Sequence, residues 1–475
     1  MQLGVLLFAV ILVFRVNSMV IGCASLCGVE NAQCMTQCAD SIRAYTNYHR
    51  YSNRTYPLTA VPIFRLENDI DITGGDIFTY VASGMQILTS RDGRLFRFLP
   101  NPKPDQRVMT EIYQIPEELN LDTTANKGLY DITFPKNFRD NQLMYLSFAM
   151  SSSDPRYDHY NVVGEFTFNY RNMAIEFVQI VHKLPQTMSV RSGGFLKVGK
   201  TISDADYAPI WTSSGGNPEA SAAMSKSNPQ YSSIYSIYPE SIKPSNRRYK
   251  ELHGDSIQLW AKNLKNPVEC DYASLRESHQ IYCLDERYDE NGRRSHVGVQ
   301  GLIYLPISGT ADADSSSTTS TSSSSQYTTT DAPKLRVEKK IYSPVYQLFY
   351  QDHCLPDSLV YSFDNLLPTE YRRRVVIAIP TCAAENFNPP RLLMLARSSQ
   401  RATWQFVNMP VDMGEELLVN FHLLGTERSR GLFFIATQIN TGYRDIYQIK
   451  TTDMYTSETG SVTTESSSGS WWSTT

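Results

Sequence analysis

The sequence has no excess of basic charge. Its 475 residues include 44 lysines and arginines against 48 aspartates and glutamates, which gives a formal net charge of −4. Proteins that bind nucleic acid through its phosphates need a basic patch or stripe, so this balance argues against nucleic-acid binding. Charged residues make up 19% of the chain and hydrophobic residues 41%. These fractions are ordinary for a globular protein and exclude a wholly disordered or fibrous chain.

Long apolar runs and convincing long amphipathic helices are also missing. Leu3 to Phe14 is an apolar run interrupted only by Gly4, and it is shorter than the about 20 residues needed to span a bilayer. Val16 and Ser18 follow with the spacing of a cleavage site, so residues 1–18 are predicted to be a secretory signal peptide, although no Lys or Arg precedes the run. A retained anchor or a buried N-terminal strand is the alternative. The sequence therefore predicts a secreted, extracellular protein without a membrane span.

Common catalytic signatures are absent. The chain contains no G-x-S-x-G or H-E-x-x-H motif, which would have indicated a hydrolase or a zinc protease. Asp285 and Glu286, with Asp289 and Glu290, form an acidic cluster that could bind Ca²⁺. Adjacent carboxylates converge on one cation only in a dedicated turn, so Asp285 and Glu286 are weak calcium candidates beside the simpler interpretation of a solvated loop.

The eight cysteines fit an exported chain. An even number of cysteines in an oxidising compartment predicts four disulfides. The first four have the spacing C-x3-C-x6-C-x3-C, and cysteines four residues apart share one helix face. Their connectivity stays open, and a zinc site is the alternative. The predicted disulfide cysteines are Cys23, Cys27, Cys34, Cys38, Cys270, Cys283, Cys354 and Cys382. Asn53, in Asn-Arg-Thr, is the one N-glycosylation sequon.

Beyond residue 55 the pattern is typical of β-structure. Short runs rich in β-branched and aromatic residues, several of them alternating, are separated by polar or glycine-containing breaks. They are Asp76–Ala82, Leu143–Phe148, Val162–Phe168, Glu176–Val181, Val375–Ile379, Arg391–Leu395, Gly431–Ala436 and Asp445–Ile449. So many short strands over about 400 residues predict a β-propeller or a pair of β-sandwiches.

Two segments are too polar to pack. Residues 308–333 consist almost entirely of Ser and Thr, and such a segment cannot bury enough apolar surface to offset the entropy of ordering it. We predict a disordered insert extruded between two strand-like runs. The tail, residues 451–475, has the same character. In a secreted glycoprotein both segments suit O-glycans, and flexible spacers are the simpler interpretation.

Several motifs occur in the order found in one family. Gly128–Ser147 is similar to "GLLGLAFHPxF…NGxLYVS", and Ile257–Cys270 followed by Ile281–Cys283 is similar to "EIWAxGxRNPWxC…LFC". Further similar segments are Ser343–Tyr346, Leu359–Ser362, Val375–Ile379, Gly431–Thr437 and Ile446–Ile449. The chain thus resembles, over residues 60–450, the soluble quinoprotein sugar dehydrogenases of the glucose/sorbosone dehydrogenase type, together with the hedgehog-interacting-protein-like proteins.

The resemblance implies a fold and a division of the chain. The fold is an all-β, six-bladed propeller of four-stranded blades, and the match pairs Cys270 with Cys283. The expected organisation is a signal peptide at residues 1–18, a Cys-rich N-terminal segment at 19–55, the propeller at 56–450 with the insert at 308–333, and the Ser/Thr-rich tail at 451–475.

The resemblance also implies a reaction whose residues this chain lacks. In the family, hydride passes from sugar C1 to pyrroloquinoline quinone (PQQ) held with Ca²⁺, and a His in "NHxGGxL" accepts the hydroxyl proton. The matching stretch Ser189–Leu196 keeps both glycines but has Arg191 at the base position, and a guanidinium stays protonated at physiological pH. Ser214 replaces the acid that orients the base, and Lys265 replaces the quinone-contacting Arg. Leu284–Tyr288 replaces the glycine-containing "GDVGQ" loop near Ca²⁺.

These departures predict a catalytically degenerate propeller. We expect no catalytic residue, no cofactor, and an extracellular protein or glycan as the binding partner. His182 and His253 are the nearest substitutes for the missing base. One alternative is an active PQQ- and Ca²⁺-dependent sugar oxidoreductase with a rearranged site. The other is a structural secreted glycoprotein of a coat, envelope or matrix.

Overall fold

The structure is a computed structural model that describes most of residues 57–452. The ranges that it does not describe within this span are 68, 79–84, 100–106, 136–137, 188, 199–209, 216–232, 238, 240–256, 262–263, 275–278, 289–293, 305–345, 351–354, 363–366, 381–389, 398–403, 415–417, 428–430 and 440. The predicted signal peptide, Cys-rich segment and Ser/Thr-rich insert, and the predicted tail beyond Thr452, therefore lie outside the described residues. So do Cys23, Cys27, Cys34, Cys38, Asn53, His253, Cys354 and Cys382.

The described chain is almost entirely β-strand. It begins with β1 (Leu58–Arg65) and continues into four-stranded antiparallel sheets, each built from consecutive strands. Blade 1 contains β2 (Ile72–Phe78), β3 (Met85–Ser90), β4 (Arg94–Leu99) and β5 (Val108–Gln114). Blade 2 contains β6 (Leu129–Thr133), β7 (Leu143–Ser151), β8 (His159–Asn169) and β9 (Ala174–Gln186). Blade 3 contains β10 (Gly193–Val198), β11 (Ile210–Ser214), β12 (Ser233–Ile237) and β13 (Ile257–Ala261).

The second half of the chain repeats the pattern. Blade 4 contains β14 (Pro267–Ser274), β15 (His279–Tyr288), β16 (Arg294–Tyr304) and β17 (Tyr346–Tyr350). Blade 5 contains β18 (Ser358–Ser362), β19 (Arg374–Ile379), β20 (Arg391–Arg397) and β21 (Trp404–Asn408). Blade 6 contains β22 (Val411–Asp412), β23 (Leu418–Glu427), β24 (Gly431–Gln438), β25 (Arg444–Thr451) and β1. Short helical turns lie at Glu117–Leu119, Phe138–Asn141 and Thr369–Tyr371. No helix in the described part of the chain has the length and apolarity to cross a membrane.

Blade 6 joins the two ends of the described chain. Its strand order is β22–β1–β25–β24–β23, with β1 antiparallel to β25 and parallel to β22. The first strand of the described residues thus completes the last blade. This pairing holds the N-terminal and C-terminal parts of the described chain in one sheet and so closes the ring of blades. The predicted six-bladed propeller is confirmed, and the pair of sandwiches is not formed.

The core is divided among the blade interfaces. Within the described residues, buried apolar side chains form six separate clusters, and each joins two neighbouring blades. The middle strands contact a neighbour on both faces, which is why β7 and β19 are continuously apolar runs rather than alternating ones. The disulfide between Cys270 and Cys283 joins directly opposed residues of β14 and β15, and it faces blade 3.

The innermost strands surround a central channel. β2, β6, β10, β14, β18 and β23 each contact the inner strands of both neighbouring blades. At β10, Gly194 lies against the ring of Tyr130 in β6. Its backbone has φ of +90°, and a β-carbon placed there would lie 2.3 Å from Tyr130 Cδ2. Only glycine therefore permits this approach of blades 2 and 3.

We expect Gly194→Ala to lower the free energy of unfolding by about 2 kcal/mol or more, since the left-handed backbone and the displaced Tyr130 ring both disfavour the native state. Gly414→Ala is the matched control. Gly414 has φ of +73°, but a β-carbon added to it would have no neighbouring atom within 4 Å, so only the backbone cost of about 1–2 kcal/mol applies. Urea unfolding of both variants checks the difference, and equal losses would contradict the packing role of Gly194.

Candidate functional site

The inner strands converge on a cavity of about 940 Å³. Every blade, through an inner strand or the loop before it, contributes to the wall. Examples are Thr73 of blade 1, Tyr130 of blade 2, Glu269 of blade 4 and His422 of blade 6. The wall also holds four arginines and four carboxylates: Arg91, Arg191, Arg294, Arg444, Asp71, Glu269, Glu286 and Asp357. The cavity is therefore a concave polar site of ligand size.

Arg191 precedes β10 and extends across the boundary between blades 3 and 4. Its Nη2 donates to the carbonyl of Val268 at 2.9 Å, and its Nε lies 3.4 Å from the carbonyl of Gly193. Its guanidinium carbon is 5.0 Å from the centre of the Tyr130 ring, within the range of a cation–π contact. The remaining nitrogen, Nη1, lies 3.9 Å from Glu269 Oε1, which is too long for a hydrogen bond.

Glu269 lies at the meeting point of four blades. Its Oε2 accepts a hydrogen bond from the backbone N–H of Leu359 in blade 5 at 3.2 Å. Its Oε1 is 3.5 Å from His422 Nδ1 and 3.9 Å from Arg191 Nη1. Burial raises the pKa of Glu269 to about 8, against the opposing effect of Arg191. Burial likewise lowers the pKa of His422 to about 3, so its imidazole is neutral at pH 7.

Tyr130 is almost fully buried, with 1% of its surface exposed. Its hydroxyl has no hydrogen-bond partner among the described residues. Burial raises the pKa of the phenol above its ordinary value, so it is a neutral hydroxyl at any physiological pH. An unsatisfied buried hydroxyl is unfavourable, and this one forms part of the cavity wall beside Arg191.

The other charged groups of the cavity are paired with one another. Arg294 donates to Glu286 at 3.1 Å and to Asp357 at 2.8 Å. Glu286 also accepts from the Tyr288 hydroxyl. Buried charges are tolerated when each has an opposite partner and hydrogen bonds. This network fixes the wall formed by blades 4 and 5.

The wall between blades 6 and 1 is held in the same way. Arg444 Nη1 donates to Asp71 Oδ1 at 2.8 Å and to the carbonyl of Ile70 at 2.9 Å. Arg91 forms an ion pair with the other oxygen of Asp71 at 2.8 Å. Of the four arginines, Arg191 is thus the one whose nearest described carboxylate lies beyond hydrogen-bond distance.

The turn that carries Lys265 is supported by Asp285. One carboxylate oxygen, Oδ1, accepts the backbone N–H groups of Lys265 and Asn266, both at 2.7 Å. Burial raises the pKa of Asp285 to about 6, and the two N–H groups oppose this rise. Asn266 in turn accepts from Gly193 N at 2.7 Å and donates to the carbonyl of Arg191 at 3.2 Å. Asp285 therefore positions the loop that carries Arg191.

The residues singled out in the sequence are only partly brought together. Arg191 and Glu286 line the cavity. Ser214 is buried and lies opposite Gly193 in the sheet, beside the Arg191 loop but outside the cavity wall. The side chain of Lys265 is exposed to solvent. His182 is buried on β9 against the Tyr235 ring, and burial lowers its pKa to about 4.

Sequence reasoning missed the residues nearest to Arg191. Tyr130 lies inside the motif Gly128–Ser147, and Glu269 follows the Lys-Asn-Pro segment by two residues, so both were close to recognised signals. No sequence pattern pointed to His422, because it belongs to blade 6 and approaches Glu269 of blade 4 only in the folded ring. A buried Glu can be found from sequence only when the topology is already known.

The residues present do not fit the calcium and quinone arrangement that the family resemblance implies. Of the two candidate calcium ligands, Asp285 accepts two backbone N–H groups and Glu286 is paired with Arg294. No group of three or more His, Cys, Asp or Glu side chains suited to a metal ion occurs within the described ranges. The base position holds a guanidinium that is hydrogen-bonded to Val268. No reaction step through the quinone can be derived from these side chains.

Comparison with known proteins gives a family match over part of the chain and a fold match over most of it. Residues 77–279 match the family model "Glucose / Sorbosone dehydrogenase". No curated protein sequence matches the chain.

Among solved structures, a glucose dehydrogenase aligns with a TM-score of 0.51 at 15% identity, covering 82% of this chain and 99% of its own. The apo-form of the soluble aldose sugar dehydrogenase from Escherichia coli aligns with a TM-score of 0.51 at 10% identity, covering 83% and 99%. Another glucose dehydrogenase gives 0.50 at 12% identity, with 82% and 98% covered. The chain thus has the β-propeller fold of soluble sugar dehydrogenases, and residues 77–279 carry the sequence pattern of the glucose/sorbosone dehydrogenase family.

Proposed function

We propose that the chain is a secreted binding protein built on a sugar-dehydrogenase propeller that has lost sugar dehydrogenase activity. The observation that carries the proposal is Arg191. It stands where the family resemblance requires a proton acceptor, and its guanidinium is fixed by Val268 and packed over Tyr130. A group that keeps its proton at every physiological pH cannot act as a general base.

Binding is supported by the shape of the site rather than by a reaction. The cavity draws its wall from all six blades, is polar, and holds an unsatisfied hydroxyl and an arginine with a nitrogen free of hydrogen bonds among the described residues. Propeller loops around a channel supply binding surfaces on many unrelated proteins. A glycan or a protein segment reaching into the channel mouth is the partner we propose. Placement in the hedgehog-interacting-protein-like branch is part of this proposal.

A second function is favoured by one observation. Glu269 lies beside Arg191, and burial raises its pKa to about 8. A carboxylate with a pKa near the working pH is a suitable proton acceptor. An active oxidoreductase would then use Glu269 where its relatives use His. The side chains around Glu269 do not fit the calcium and quinone arrangement of that family, so such an enzyme would need a rearranged site, with Glu269 to hold the proton and Arg191 to orient the sugar.

We predict no aldose-dependent dye reduction when the purified protein is incubated with PQQ, Ca²⁺ and glucose, because Arg191 accepts no proton. A soluble glucose dehydrogenase reconstituted in parallel controls for the cofactor. Sugar-dependent turnover above the no-sugar blank would overturn the proposal.

Any turnover that did appear is predicted to follow the ionisation of Glu269. The group is active only as carboxylate, so kcat/KM rises as pH increases through about 8 and levels off above it. Glu269→Gln is expected to abolish this turnover, whereas His182→Gln, which alters a buried histidine outside the cavity, leaves it unchanged. A pH profile from 6 to 10 for wild type and both variants measures the difference. Turnover retained in Glu269→Gln would eliminate Glu269 as the base.

Secretion is tested on the full chain. Expressed in a eukaryotic host, the protein is expected in the medium, with residues 1–18 removed and Asn53 glycosylated. Intact mass and N-terminal sequencing of the secreted material measure both changes, and Asn53→Gln is the control for the glycan. Retention in the cell with an intact N-terminus would contradict secretion.

A further inference from the structure

The polar groups around Arg191 are arranged unevenly. Arg294, Arg91 and Arg444 have carboxylate partners at 2.8–3.1 Å. The nearest described carboxylate to Arg191 is at 3.9 Å, so Nη1 donates to no described residue. The Tyr130 hydroxyl beside it also has no described partner. Two donors on the wall of one cavity are therefore left for a ligand.

One hydrogen-bond acceptor beside Arg191 also lacks a close partner. Glu269 Oε1 is 3.5 Å from one neighbour and 3.9 Å from the other, which leaves it without a normal hydrogen bond. Arg91 and Arg444 share Asp71, and Arg294 contacts both Glu286 and Asp357. When Glu269 is protonated, Arg191 is the arginine of the cavity without a carboxylate partner among the described residues. A ligand with one negative charge supplies that partner.

We propose that the cavity binds a small carboxylate of the sugar-acid type, with Arg191 and Tyr130 donating to the ligand carboxylate and the Glu269 carboxylic acid donating to one of its oxygens. This inference rests on the proposed binding function and names its ligand class. A hexuronate fits because five further side chains of the wall carry a hydroxyl group, whose oxygen can accept a hydrogen bond from a sugar hydroxyl even where its own hydrogen is already donated, as in Thr73, Thr441 and Tyr288. The five side chains are Thr73, Thr437, Thr441, Tyr288 and Tyr443.

The arrangement couples binding to a proton. Two carboxylates within hydrogen-bond distance share one proton, because both cannot be ionised so close together. The charged and titratable groups that act on Glu269 come from β6, β10 with its preceding loop, and β23: Asp131, Lys197, Arg191 and His422. Asp131 is paired with Lys197 at 3.4 Å, and His422 is neutral. Glu269 is thus the group that titrates as the anion binds.

The direction in which ligand affinity changes with pH follows from the direction of the pKa change of Glu269. Glu269 is protonated below about pH 8 in the free protein, and a bound anion raises its pKa further. Binding is therefore independent of this group well below pH 8. Above it, binding takes up one proton, and affinity falls by about tenfold per pH unit.

Calorimetric titration of the full-length protein with sodium glucuronate tests the proposal, with glucose as the neutral comparison at constant ionic strength. We expect saturable glucuronate binding at pH 7 and at least tenfold weaker binding of glucose. Arg191→Gln is expected to weaken glucuronate binding at least tenfold, and Tyr130→Phe severalfold. Arg156→Gln is the matched control, since Arg156 is an exposed arginine paired with Asp154 away from the cavity.

Glu269→Gln gives the second readout. The amide still donates to a carboxylate, so binding at pH 7 is retained, but the loss of affinity between pH 8 and 9.5 disappears. Titrations at pH 9 in buffers of different ionisation enthalpy should show one proton taken up by wild type and none by Glu269→Gln. Thermal unfolding verifies that each variant folds, and if Arg191→Gln does not, Tyr130→Phe and Glu269→Gln decide the matter.

Three outcomes would overturn the inference: no glucuronate binding by wild type, equal binding of glucose, or a pH dependence that persists in Glu269→Gln. None of them bears on dye reduction with PQQ and Ca²⁺, which tests the loss of dehydrogenase activity separately. The proposal of glucuronate binding and the proposal of lost dehydrogenase activity can therefore be contradicted independently of each other.

Discussion

The fold depends on how neighbouring blades are joined around the channel. The inner strands of adjacent blades belong to different sheets. Besides the backbone hydrogen bond from Leu129 N to Arg91 O at 3.1 Å between blades 1 and 2, polar side chains connect the blades. Thr73 donates to Leu129 O at 2.6 Å between blades 1 and 2, and Asp131 accepts from Leu196 N at 3.1 Å between blades 2 and 3. Buried polar groups with complete partners hold such a junction in one geometry.

The remaining junctions use the same device. Asn266 accepts from Gly193 N between blades 3 and 4, and Asp271 accepts from Tyr361 N at 2.6 Å between blades 4 and 5. Ser358 accepts from Leu423 N at 2.8 Å between blades 5 and 6. Arg444 reaches Ile70 O between blades 6 and 1. The apolar clusters between blades supply burial, while these links fix the rotation of each blade about the channel.

The candidate site includes one of these links between blades. Glu269 accepts from Leu359 N just as Asp271 does from Tyr361 N, so it is first a junction residue. Unlike Asp271, it also borders the cavity and has a second oxygen whose neighbours are distant. A side chain that links blades 4 and 5 thus also borders the cavity.

The sequence was informative about strands and much less so about the site. Runs such as Val375–Ile379 and Gly431–Ala436 are apolar throughout because middle strands are covered on both faces, and this local pattern predicted β19 and β24 correctly. The ring closure through β1 and β25 has no local signal, since it joins residues nearly 400 positions apart. The approach of Glu269 to His422 depends on that closure. Residue types at 269 and 422 are unremarkable until the ring brings them together.

The retained glycines show why a surviving motif is weak evidence for a surviving reaction. Gly193 and Gly194 matched the family motif that carries the catalytic base, yet both have local structural reasons to be glycine. A β-carbon at Gly193 would lie 2.6 Å from Ser213 O, and one at Gly194 would strike the Tyr130 ring. Packing inside blade 3, at Gly193, and between blades 2 and 3, at Gly194, therefore demands these glycines whether or not a base precedes them. Position 191 is under no such demand: a side chain there projects toward the cavity, where Arg191 can replace a proton acceptor and bridge to Val268 without disturbing the ring. The residue at position 191 can therefore change, and with it the chemistry of the cavity, while Gly193 and Gly194 keep the family motif recognisable.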